Sequence, residues 1–135
     1  MRGAVAGALA AAVWAAAEPA LGRMLGNPYS DVRLLGRLMT RGEAWPIAGV
    51  ALHLANGAAF GWAFERLGFR GVGQGVLAAE VENLLLWPGF LAIDRIHPDR
   101  RNGRWPRLVT NRRVAAYEVA THALFGAVLG ALVRK

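Results

Sequence analysis

Four stretches of this chain are apolar on every side: Gly3 to Gly22, Ala44 to Phe64, Val72 to Ile93 and Val114 to Val133. A helix on the surface of a soluble protein carries charges along one face. Here the charges gather between the stretches instead. Each stretch holds about 20 residues, which as helix covers the ~30 Å hydrocarbon layer of a bilayer. The pattern predicts an all-α, four-helix transmembrane bundle forming a single integral membrane domain over residues 1–135.

The connections differ in kind. Only "ERLGFRG" separates spans two and three, a tight turn. Between spans one and two, Val32, Leu35 and Met39 share one helical face, while Arg33, Arg37 and Arg41 recur on another. That amphipathic pattern predicts a short helix lying in the headgroup layer, capped at its start by Ser30 or Asp31. The third connection, "DRIHPDRRNGRWPRLVTNRR", is more polar and reads as irregular.

A repeat runs beneath this pattern. "HLANGAAFG" from His53 and "HALFGAVLG" from His122 both read H-x-x-x-G-x-x-x-G, 69 residues apart. Pro19 and Pro88 keep the same offset, and Gly3 and Gly7 correspond to Gly71 and Gly75 after a slip of one residue. The expectation is a duplicated helix hairpin, about 3–64 and 71–133, with both halves entering the membrane from the same side. Glycines four apart let helix backbones approach closely. Packing within one bundle is their first use and homo-oligomerisation their second. The two prolines read as helix kinks or ends. The first span also resembles a secretory signal, with a basic start, an apolar run and small residues. The repeat requires it, so it is expected to be retained.

The chain carries 16 basic and 9 acidic residues, a net charge of +7. Because the basic residues sit in the connections, this charge points to anionic lipid headgroups rather than nucleic acid. Eleven of them fall on the face with the two long connections and five, Lys135 among them, on the face with the termini. That bias predicts cytoplasmic Arg-rich connections and external termini. Trp45 and Trp62 bracket span two as interfacial anchors. The absence of Cys excludes disulfides, thiolate metal sites and cysteine nucleophiles.

Six ionisable residues fall inside the spans: Glu18, His53, Glu80, Glu82, Glu118 and His122. Such residues are costly in lipid and are candidates for function. Counted from the termini face at the helical rise, Glu82, His122 and His53 lie about 15 to 17 Å deep. Glu80 is shallower, at about 12 Å, and Glu118 and Glu18 lie near 22 Å. The candidate layer is therefore His53, Glu82 and His122, with Glu118 one turn from His122, Asn56 near the face of His53, and Glu18 toward the Arg-rich side. His53, Glu82 and His122 are expected to face the bundle interior, with Glu118 near His122.

Several short motifs extend the reading: Glu18-Pro19, Asp31-Val32, "LHLANG", Glu82-Asn83, Trp87-Pro88, His97-Pro98 and "NRR" before span four. With them the chain resembles a family of small uncharacterised four-span membrane proteins from actinobacterial-type genomes, over nearly its whole length. That family has no assigned activity. The resemblance implies a bacterial inner-membrane location and no mechanism.

Three functional readings follow. A Glu/His cluster in a low-dielectric bundle suits binding or translocation of a small solute, ion or proton. The same residues could be interhelical glue in an accessory subunit of a larger membrane complex. His53 and His122 could ligate haem or a metal, although no Glu-x-x-His or His-x-x-x-His spacing supports it. No Ser/His/Asp arrangement, Walker loop or dinucleotide fingerprint points to an enzyme. A site needs a cavity reached from one side, whereas glue should be dry, mutually paired and closed.

Overall fold

The computed structural model describes residues 1–134; Lys135 lies outside them. Among the described residues all regular structure is helical: α1 (Gly3–Leu25), α2 (Asp31–Met39), α3 (Trp45–Arg66), α4 (Gly71–Leu86), α5 (Phe90–Ile96), α6 (Pro98–Arg101) and α7 (Arg112–Leu132). A 3-10 turn at Trp87–Gly89 joins α4 to α5, so that Gly71–Ile96 makes one span of 26 residues. With α1, α3 and α7 this gives four helices long and apolar enough to cross a membrane.

Local chemistry sets the helix ends. Gly26 takes φ 61° after α1, and the Asn27 N–H reaches back to the Gly22 carbonyl at 2.8 Å. This left-handed residue satisfies carbonyls that the helix end leaves free. Ser30 caps α2 by accepting from the Arg33 N–H at 3.1 Å, and Asn111 caps α7 through the N–H groups of Arg113 and Val114. The two prolines behave differently. α1 runs through Pro19 without ending, whereas Pro88 lies in the 3-10 turn, where its missing N–H removes an α-helical bond.

The spans stand in a row, α3–α1–α7–α4. α1 packs on α3, α7 on α4 and α1 on α7, while α3 and α4 scarcely meet. Glycine makes the tight contacts possible. A Cβ on Gly7 would strike the Gly57 carbonyl, and one on Gly61 would strike that of Gly3. In the other pair, a Cβ on Gly75 would strike the Gly126 carbonyl, and one on Gly130 that of Gly71. Backbone on backbone is the packing that holds helices together where lipid removes the hydrophobic drive. Val5, Leu9 and Val13 of α1, and Leu77, Leu84 and Leu85 of α4, point outward and are exposed, as lipid-facing residues are.

The start of α1 and the end of α7 meet on one face, where the Met1 ammonium donates to the Leu132 carbonyl at 3.5 Å. Glu65 at the end of α3 accepts from the Gly3 N–H at 2.9 Å, capping α1 there.

On the opposite, Arg-rich face the short amphipathic helix between spans one and two is present as α2, with Ser30 at its cap. It crosses α3 where Gly36 meets the Trp45 carbonyl and Gly49 meets that of Val32. Arg33 and Arg37 place their guanidinium groups over the Trp45 ring, at 4.7 and 5.4 Å from its centroid. The third connection is irregular after α6, as expected, yet compact. Asp94 accepts from the N–H groups of Leu108 (2.7 Å) and Val109 (3.1 Å) and from Arg100 Nε (2.9 Å). Trp105 stacks on His97 with centroids 4.5 Å apart and donates to the Pro28 carbonyl. With Tyr29, Phe90, Leu108, Val114 and Tyr117 it forms a second core at the Arg-rich end of the spans. Arg33 closes this cap with a two-pronged bond to Asp99, at 2.6 and 3.1 Å. Burial pushes the Asp99 carboxyl up, but the hydrogen bonds and charge of Arg33, joined by His97 and Arg104, outweigh it and hold it below its ordinary range.

A candidate binding cavity in the membrane

Beneath the cap, between the row of helices and α2, lies a cavity of about 300 Å³. Its lining includes His53, Asn56, Glu82, Glu118 and His122, together with Trp14, Asp31 and Asn83. Five elements supply these groups, so the cavity exists only in the assembled fold.

Trp14 organises the centre. Its indole packs edge-on against the imidazoles of both His53 and His122, at 4.9 and 4.7 Å between centroids. Both rings therefore share one indole as neighbour. His122 Nδ1 lies 2.8 Å from the Glu118 backbone carbonyl and 3.6 Å from the Glu118 carboxylate, so the hydrogen bond goes to the backbone. His122 Nε2 faces Glu82 at 3.8 Å. Glu80, on the other side of α4, accepts from Asn83 at 3.3 Å and does not line the cavity.

Glu18 is occupied elsewhere. Its carboxylate accepts from the Ser30 hydroxyl and from the N–H groups of Asp31 (2.9 Å) and Val32 (3.3 Å). A buried carboxylate at a helix N-terminus satisfies donors the helix cannot, and favours its dipole. Glu18 therefore pins α2 to α1.

Asp31, the first residue of α2, enters the cavity instead. It accepts from the Tyr29 hydroxyl at 2.7 Å and lies beside Glu118 and Trp14. Burial, then the charge of Glu18, raise its carboxyl to about 7 against the opposing Tyr29 bond. Asp31 was legible as a cap but not as a member of the polar layer, since it lies outside the spans. Trp14 was equally silent, one aromatic in a run of alanines.

Two features bear on what the cavity can do. Asp31 Oδ2, Glu118 Oε1 and His53 Nε2 are buried without a hydrogen-bond partner in the chain, and so is Trp14 Nε1. Asp31, Glu118, His53 and Trp14 all line the cavity. The cavity is also not sealed. Glu82 is 38% exposed, and Asn56 and Leu86, both in the lining, are exposed. They mark an opening in the gap between α3 and α4.

Among the described residues no three of His, Asp and Glu converge as a metal ion would require. No protein-family model, curated protein or solved structure matches the chain, so its function rests on this geometry.

Proposed function

We propose that the protein binds, and passes across or along the bilayer, a small solute, ion or proton at the cavity bounded by His53, Glu82, Glu118 and His122, with Asp31 and Asn56. The observation that carries this reading is the convergence of buried, unpartnered Asp31, Glu118 and His53 atoms on one open cavity. Unpaired polar atoms in a low-dielectric interior are expensive. A ligand that donates hydrogen bonds or carries positive charge offsets that cost. The glue reading accounts for Glu18, which is fully engaged by α2. It does not account for an open cavity with acceptors left free. Ligation of haem by both histidines is disfavoured by the Trp14 indole, which packs on both rings.

The matched glycine crossings, Gly7 on Gly57 and Gly75 on Gly126, support a duplicated hairpin as the origin of the two level imidazoles. The same reading places the chain with the small four-span proteins its motifs resemble, in a bacterial inner membrane. Its Arg-rich cap is then cytoplasmic and its termini outside. Arg37, Arg41, Arg101 and Arg104 border a groove on that cap suited to anionic lipid headgroups.

Liposomes holding the full chain and a trapped pH dye test the proposal, with protons and methylammonium as probes. Wild type should give pH-dependent uptake, and Glu82→Gln should lose the pH dependence. An amide still hydrogen-bonds, so glue would tolerate that change. Retained pH dependence in the variant, or none in wild type, sinks the proposal.

A further inference from the structure

The cavity continues sideways. Phe60 and Glu82 line it and also line a second hollow, of about 430 Å³, between α3 and α4. Ala63 and Phe64 of α3 and Leu77 and Leu85 of α4 wall this hollow, and Leu77 and Leu85 are 65% and 74% exposed. It lies where the row of spans fails to close, since α3 and α4 scarcely meet. From Phe60 to Leu67 along α3 it runs about 10 Å. Whatever fills it is apolar.

The polar end has the opposite character and a definite sign. Asp31, Glu82 and Glu118 line the cavity, and among the described residues no Arg or Lys does. Around them stand aromatic faces, Trp14, Phe60, Trp87 and Phe90 among them. Carboxylates with unpartnered oxygens accept hydrogen bonds from a cation, and aromatic faces attract it. An anionic head would meet like charge.

We infer that the ligand is a lipophilic amine, with its ammonium head among Asp31, Glu82 and Glu118 and its alkyl chain in the hollow between α3 and α4. This rests on the binding reading above and adds the ligand's class and its route, which is lateral from the lipid. The two sites are one because Phe60 and Glu82 belong to both.

The test uses the full chain in phosphatidylcholine nanodiscs, with partition into protein-free discs subtracted. Ethylammonium, octylammonium and octanoate are titrated against wild type, Glu118→Gln and Ala63→Phe, and particle mass is followed by light scattering. Octylammonium should bind wild type at least about tenfold more tightly than ethylammonium, because buried methylenes add affinity. Ala63→Phe, which fills the hollow, should weaken octylammonium about tenfold while leaving ethylammonium within about twofold. Glu118→Gln should weaken both amines, and octanoate should not bind. Equal binding of the two amines, untouched by Ala63→Phe, overturns the tail site yet leaves a cation-binding cavity standing. Octanoate bound as tightly as octylammonium overturns the ammonium head. A change of particle mass in Ala63→Phe with amine binding unaltered also overturns the inference, because a second copy then covers the hollow. Loss of pH-dependent uptake is scored separately, in the Glu82→Gln liposomes, so failure there is not confused with failure here.

Discussion

His122 donates its Nδ1 proton to the backbone carbonyl of Glu118, four residues earlier on α7, at 2.8 Å. A carbonyl oxygen can only accept, so the proton is assigned to Nδ1 and Nε2 is left with its lone pair toward Glu82. His97 has the reverse arrangement. Its Nδ1 accepts from the Asp99 N–H at 3.2 Å, and its Nε2 faces the Leu34 carbonyl at 3.2 Å. One imidazole thus offers a free nitrogen to a cavity, while the other has both nitrogens engaged in the cap.

Nitrogen-15 solid-state NMR on histidine-labelled protein should therefore find His122 as the Nδ1–H tautomer and His97 as the Nε2–H tautomer at neutral pH. Glu82→Gln should leave both assignments unchanged, since neither bond involves Glu82. A His122 signal from the Nε2–H form would remove the free lone pair on which its role in the cavity depends.

Asp31 gives a pH signature. Its folded carboxyl stands at about 7, held up first by burial and then by Glu18, against an ordinary value of 3.8. Between these values the unfolded chain has released the proton and the folded chain keeps it. Stability from this group is thus complete below the unfolded value and declines as pH rises from about 4 through 7. Asp31→Asn should abolish that component. The difference in Tm between variant and wild type in detergent should climb in the variant's favour across this window. A flat difference would place Asp31 in a solvated setting. His97 contributes with the opposite slope, since burial lowers its pKa and its share of stability is lost as pH falls below about 6.5. The comparison is therefore made on the same His97 background.

The four spans were legible because lipid imposes a length and leaves little room for charge. The arrangement of the spans was not. A face that packs on another helix and a face that meets lipid are both apolar, so nothing in "LLLWPGF" or "GAAFGWAF" marks the gap between α3 and α4. The level of His53 and His122 could be counted along the helices. That Trp14 would sit against both could not, because the contact joins three helices at residues far apart in sequence. Glu18 shows the same limit from the other side. Its position in a span reads as functional, and only the fold brings the N-terminus of α2 back upon it. The docking of α2 rests on Gly36 and Gly49, which in an amphipathic pattern pass for spacers.

Asp94 anchors the third connection through three bonds, from Leu108 N, Val109 N and Arg100 Nε. Its side chain is only 8% exposed. Asp94→Ala leaves those donors without an acceptor, which should cost about 2–4 kcal/mol. The loss should be local at first. Limited proteolysis should cut within 98–111 before any span is released, while Asp94→Asn, which keeps one acceptor oxygen, should be cut more slowly. Simultaneous loss of cap and spans would mean that the two cores unfold as one.

Gly73 and Gly75 lie two residues apart on α4 and face opposite ways. A Cβ on Gly75 would strike the Gly126 carbonyl and approach Gly130 N to 3.0 Å, whereas a Cβ on Gly73 meets nothing within 4 Å. Both substitutions by Ala gain the same helix propensity, up to about 1 kcal/mol. Only one forces α4 away from α7, and overpacking of that kind costs about 1–3 kcal/mol. Gly73→Ala should raise the Tm in detergent slightly or leave it unchanged, and Gly75→Ala should lower it. Gly7→Ala should lower it as well, since its Cβ would strike the Gly57 carbonyl across α1 and α3. If Gly75→Ala is as stable as Gly73→Ala, α4 and α7 are not in backbone contact, and the cavity loses the wall that carries His122.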